Sequence, residues 1–111
     1  MIGVANGSGE RNMSKWASPV IEKLLLGEPV QFRPSGHSMT GKINHKDLVT
    51  VEPVTEILNE GDIVLCKVRG VHYLHLIKAI RADEFLIGNN KGGTNGWTNS
   101  SQIFGIVTKV E

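Results

Sequence analysis

The segment GDIVLCKVRGVHYLHLIKAI, residues 61–80, decides the fold. Its first part, GDIVLCKV, is a short and largely apolar strand that follows a Gly-Asp turn. Its second part, VHYLHLIKAI, reads as a strand of up to ten residues, and Arg69-Gly70 between them reads as the turn of a β-hairpin. Side chains on a strand alternate faces, so Tyr73, His75, Ile77 and Ala79 share one face. His72, Leu74, Leu76, Lys78 and Ile80 share the other. His75 therefore stands in the middle of an apolar run. An imidazole there is either a core histidine with its hydrogen bonds satisfied or a base held in a low-dielectric pocket.

Outward from this hairpin the chain keeps the same texture. PVQFRP alternates Val30 and Phe32 with polar residues, and DLVTVEPV is β-branched, with Pro53 confining it to an edge or a strand end. EFLIG and IFGIVTKV read as further strands, and NNKGGTNGWTNSS reads as a polar loop. Only SKWASPVIEKLLLG carries helical spacing, through Trp16, Val20, Ile21, Leu24 and Leu25. Ser14 or Ser18 is its candidate cap, Pro19 falls in the first turn, and Gly27 ends it. Residues 1–13, rich in Gly, Asn and Ser, are expected to form a flexible arm. The expected organisation is one domain over residues 14–111, with a helix at about 15–26 and a β domain at about 29–110. Six or seven strands and one short helix predict a mainly β fold, barrel-like or built on a curled sheet.

Bulk composition excludes several functions. The 111 residues carry a formal net charge of +1, which gives no electrostatic case for nucleic acid or an anionic membrane as partner. No apolar run approaches the ~18 residues of a membrane span. The first sixteen residues lack the cationic start and apolar block of a secretory signal, so a cytoplasmic location is expected. Cys66 is the one cysteine, fits a reducing compartment, and reads as a buried structural thiol. No cysteine pair and no HExxH occurs, and His37, His45, His72 and His75 do not form a standard zinc pattern, so no metal and no cofactor are expected.

One further stretch, RPSGHSMTGKI at residues 33–43, places Ser35, His37, Ser38 and Thr40 beside Gly36 and Gly41. A serine hydroxyl is a poor nucleophile at neutral pH and needs a base within hydrogen-bond reach, on a turn that presents it. The glycines around Ser38 make such a turn available, although a serine in a Gly-rich loop is more commonly solvated decoration.

SGHSMTGKINHKDLVTVEPV resembles the nucleophile segment of the signal peptidase and LexA-type serine peptidase superfamily. Members carry a Gly-x-Ser-Met turn, about seven residues, and a hydrophobic strand opened by Gly-Asp. Here these are Gly36-His37-Ser38-Met39, TGKINHK, and Asp47-Leu48-Val49. The Gly-Asp-Ile-Val element falls at Gly61–Val64, the strand bearing the base falls on Leu74–Ile77, and GNN at Gly88–Asn90 stands where members often have Gly-Asp-Asn. The resemblance spans roughly residues 30–110. It implies a coiled half-barrel and hydrolysis of a peptide bond, with Ser38 as nucleophile and His75 as general base. It also implies that the Ser38 backbone N–H is an oxyanion donor, that Gly36 shapes the turn, and that Met39 packs beneath it.

The chain departs from the family at named positions. Thr40-Gly41 stand where many members have proline two residues after the nucleophile, and Asn89 replaces the Asp of Gly-Asp-Asn. The group orienting the base is then sought among Asn89, Asn90 and Asn95, with Asp83 as a substitute. An asparagine orients an imidazole but stabilises an imidazolium less well than an aspartate does. Neither Ala-Gly nor Cys-Gly, the self-cleavage bonds of LexA-type proteins, occurs in the arm. The expectation is thus a free-standing, phage-related type of member with a protein or peptide substrate. The alternative is a weak or inactive peptidase-fold module that serves partner docking or homodimerisation, as LexA-like relatives dimerise through C-terminal strands.

Overall fold

The structure, a computed structural model, describes residues 15–111; the expected arm and the candidate cap Ser14 lie outside the described residues. Helix α1 (Ala17–Leu25) precedes strands β1 (Val30–Phe32), β2 (Val49–Glu52), β3 (Ile63–Val68) and β4 (Val71–Arg81). Then come β5 (Glu84–Gly88), β6 (Thr94–Asn99), a single 3₁₀ turn at Ser100–Gln102, and β7 (Ile103–Val110). The strands form one seven-stranded antiparallel sheet in the order β1-β2-β7-β3-β4-β5-β6. Among the described residues the protein is mainly β, with one short α-helix.

The hairpin read from residues 61–80 is the centre of this sheet. Val68 pairs with Val71, and the two residues between them, Arg69 and Gly70, have φ of 52° and 83°. Positive φ at both central positions is the turn whose twist matches the flanking strands. Both faces of this hairpin are apolar, which is why its sequence is almost continuously hydrophobic. Leu65, Leu74 and Leu76 join one core cluster with Val49, Val51, Met39 and Ile43. Val64, Cys66, Val68 and Ile77 join a second with Phe85, Ile87 and Ile103. Each such side chain contributes roughly 1.5–3 kcal/mol by leaving water.

Helix α1 covers the first cluster with Val20 and Leu24, which lie one helical turn apart. Its end is set by Gly27, at φ 85°. The N–H of Glu28 donates to the Lys23 carbonyl at 3.0 Å and that of Gly27 to Leu24 at 2.9 Å, the paired bonds of a glycine-terminated helix. The expectation that Ser18 caps the helix is corrected. Ser18 is the second helical residue, the cap position is Trp16, and no side chain bonds there. Among the described residues no helix is long and apolar enough to cross a membrane.

The polar stretch at residues 89–101 is also corrected, since Thr94–Asn99 within it is the edge strand β6. An edge strand with one open side needs few apolar residues, so polarity concealed it.

Cys66 is fully buried, and burial pushes its thiol up to about 12. Iodoacetamide is therefore expected to leave Cys66 unmodified in the folded protein at pH 8 and to alkylate it fully in denaturant, read by mass spectrometry.

Candidate active site

Ser38 lies in the connection between β1 and β2, which is largely exposed but anchored, with Ser38, Met39 and Ile43 buried. Gly36 and Gly41 both adopt φ of 101°, a region that a residue with a Cβ enters only under strain. Between them the chain folds over on itself. Both the N–H and the Oγ1–H of Thr40 donate to the His37 carbonyl, at 3.2 and 2.6 Å. The N–H groups of Lys42 and Ile43 donate to the Met39 carbonyl at 2.9 and 2.8 Å. Met39 and Ile43 then plug the turn into the first core cluster. Downstream, the Gly41 N–H donates to Asn44 Oδ1 at 2.9 Å, the Asn44 N–H to Asp47 Oδ2 at 2.7 Å, and the Arg33 guanidinium to the Lys46 carbonyl.

The result is a serine only 8% exposed beside a buried histidine. Ser38 Oγ and His75 Nε2 are 3.0 Å apart, within hydrogen-bond reach. The other ring nitrogen, Nδ1, is 2.7 Å from Asn95 Oδ1. An amide oxygen only accepts, so the ring proton sits on Nδ1 and the Nε2 lone pair accepts from the Ser38 hydroxyl. The Tyr73 ring stacks on the imidazole, with centroids 5.0 Å apart. His75 itself is 1% exposed and lies opposite Val64 in the β3–β4 ladder.

Electrostatics hold this imidazole neutral. Its pKa is lowered to about 4, chiefly by burial; the Asn95 hydrogen bond works in the opposite direction and the Lys78 charge adds to the lowering. Lys78 runs over Gly88, which pairs with Leu76 on the ladder and so belongs to the face opposite His75. A neutral base at pH 7 is the state that proton abstraction from a hydroxyl requires.

The asparagines have separate places. Asn95 alone of the three meets His75. Asn89 Oδ1 closes its own turn, accepting from the N–H groups of Lys91 and Gly93 at 2.8 and 2.9 Å. Asn90 clamps the serine turn, donating through its N–H to the Ser38 carbonyl at 3.0 Å and through Nδ2 to the Thr40 carbonyl at 2.9 Å. Neither orients His75, contrary to their candidacy. Asp83 is exposed in the β4–β5 turn and makes no bond to His75.

Among the described residues, the N–H groups of Gly36, His37 and Ser38 donate to no protein acceptor. Free N–H groups around a nucleophile are what an oxyanion would use. His37 and His45 lie with ring centroids 5.6 Å apart, while His72 is elsewhere, against Phe104 at 5.8 Å. Among the described residues no group of three or more His, Cys, Asp or Glu side chains is arranged to hold a metal. A cleft of about 350 Å³, lined by Glu52, Val54, Ile57, Asp62 and Thr108 among others, contains neither Ser38 nor His75.

No protein-family model, no curated protein and no solved structure matches the chain.

Proposed function

We propose that the chain is a serine peptidase of the signal peptidase and LexA-type kind, in its histidine-dependent form, on a coiled half-barrel sheet. The observation that carries the reading is the 3.0 Å approach of Ser38 Oγ to His75 Nε2, two residues 37 apart in sequence, in a site from which water is largely excluded. In this reading neutral His75 takes the Ser38 proton as Oγ attacks the carbonyl carbon of a peptide bond. The oxyanion accepts from the Ser38 N–H. The imidazolium then gives its proton to the departing amine, and water, deprotonated by the same imidazole, releases the acyl group from Ser38. The substrate is a protein or peptide, and the step needs no metal or organic cofactor.

The geometry supports this over the docking-module reading because an inert module has no need of a buried hydroxyl–imidazole pair. Each buried polar group carries a desolvation cost that an apolar residue avoids.

A fluorophosphonate probe tests the proposal. Mass spectrometry is expected to place one adduct on the tryptic peptide containing Ser38 and none on that peptide in Ser38→Ala. Hydrolysis of a peptide library that survives unchanged in Ser38→Ala would overturn the reading.

A further inference from the structure

We infer that Asn95 is the positioning residue of this site, a neutral third member that fixes which imidazole nitrogen faces Ser38 without supplying a negative charge. The inference rests on the Ser38–His75 reading given above and extends it to the residue that limits how well the pair works.

Three observations converge on Asn95. First, its Oδ1 lies 2.7 Å from His75 Nδ1, on the side of the ring opposite Ser38. Second, the backbone is shaped to put it there. Ile87 pairs with Gly96 and Gly88 with Thr94, so Asn95 is the extra residue of a bulge in β6. A bulge re-aims one side chain out of the regular alternation, here across β5 toward β4. Gly96, at φ 133°, supplies the backbone freedom beside it. Third, the other groups facing the imidazole leave the task to Asn95. From β4 this is the Tyr73 ring, with the Lys78 charge acting from the opposite face of the sheet, and from the serine turn it is the Ser38 hydroxyl. The ladder partner on β3 is Val64, and the nearest residue of β5 on that face, Ile87, is apolar. Among the described residues no carboxylate is bonded to His75.

The consequence is chemical. During proton transfer the ring becomes an imidazolium bonded to an amide dipole, with a cation nearby and no anion. An aspartate at this position offers the same accepting geometry plus a full opposite charge, which stabilises the imidazolium and raises the basicity of the ring. Asn95 therefore secures the tautomer and withholds the charge. The site trades rate for a base that stays unprotonated well into acid.

The test uses ¹⁵N-histidine NMR on the full chain, together with fluorophosphonate labelling of Ser38. In the wild type His75 is expected in the Nδ1–H tautomer, with Nε2 unprotonated. Asn95→Asp is expected to raise the His75 titration midpoint by about one pH unit or more and to speed labelling at pH 7 by about tenfold or more. Asn95→Ala is expected to mix the tautomers and slow labelling by about tenfold. A thermal melt of each variant separates these effects from a loss of folding. The opposite tautomer in the wild type, or an unmoved His75 midpoint in a folded Asn95→Asp, would overturn the inference. The NMR arm decides the role of Asn95 by itself. Absence of labelling in every variant, with the tautomer and midpoint as expected, would instead sink the peptidase reading and leave Asn95 as the group that orients His75.

Discussion

Replacing His75 by leucine is expected to slow fluorophosphonate acylation of Ser38 by about 10³-fold or more while the chain still folds. A positioned general base contributes roughly 10²–10⁴-fold, and among the described residues His75 is the one titratable side chain bonded to Ser38. The fold is expected to tolerate the change because the imidazole is already neutral and stands among Val64, Ile77 and Tyr73. Leucine fills a similar volume, and half-buried Asn95 has access to water. A second readout shows whether the imidazole is buried neutral. Its pKa falls from 6.5 unfolded to about 4 folded, so between these values the unfolded chain binds a proton that the native chain refuses. Native stability then declines as pH falls from 6.5 toward 4, by on the order of 3 kcal/mol over the window, and no further below it. His72, whose pKa burial also lowers, is present in both proteins, so its contribution cancels in the comparison. Urea denaturation midpoints at pH 7 and pH 4.5 should therefore diverge more in the wild type than in His75→Leu. Wild-type acylation in the leucine variant would remove His75 from the mechanism.

How much of this was legible in the chain depends on which forces place each residue. The β3–β4 hairpin was legible because its cause is local, two apolar runs around a pair of residues that accept positive φ. The end of β2 before Pro53 was legible for a similar reason, as proline has no N–H to give the ladder. Ser38 and His75 are nominated by the family resemblance, since by pattern alone a glycine-flanked serine reads as solvated decoration and an imidazole in an apolar strand as a core histidine. Their meeting was beyond local reading. It depends on Met39 and Ile43 being drawn into the same core as Leu74 and Leu76, which brings a turn following β1 to a strand four places away in the sheet. Asn95 was harder still. Asn-Gly ordinarily marks a turn, so Asn95-Gly96 spoke against a strand. Only the β5–β6 register, with its bulge, distinguishes Asn95 from Asn89 and Asn90. The helix cap failed in the other direction, because Ser18 has the right chemistry but lies one step inside the helix that tertiary packing selects.

Gly88→Ala is expected to damage the site more than the fold, and the reason lies in the β5–β6 connection. A Cβ at position 88 would overlap the Gly93 carbonyl oxygen and lie 3.0 Å from Lys78 Cε. The lysine can swing away. The carbonyl cannot, because it accepts from the Asn89 N–H at 3.0 Å and closes the turn. The turn must therefore open by a fraction of an ångström to about an ångström. Overpacking of this kind costs roughly 1–3 kcal/mol, and an edge hairpin absorbs it without losing the central β3–β4 core. The same turn, however, carries Asn90 onto the Ser38 and Thr40 carbonyls and leads directly into Asn95. Shifting it moves the clamp on the Ser38 turn and the partner of His75 together. Misplacement on the order of 1 Å costs about 10²-fold in rate, so acylation of Ser38 should fall by about that factor while the melting temperature falls by only several degrees. Gly93→Ala is the matched comparison. Its Cβ would meet Asn89 Nδ2 at 2.9 Å, part of a side chain held through Oδ1 by two hydrogen bonds rather than backbone, so a smaller loss is expected from the same loop. Equal losses in the two variants would mean that the loop tolerates or fails as a whole, and that Gly88 has no special hold on the site.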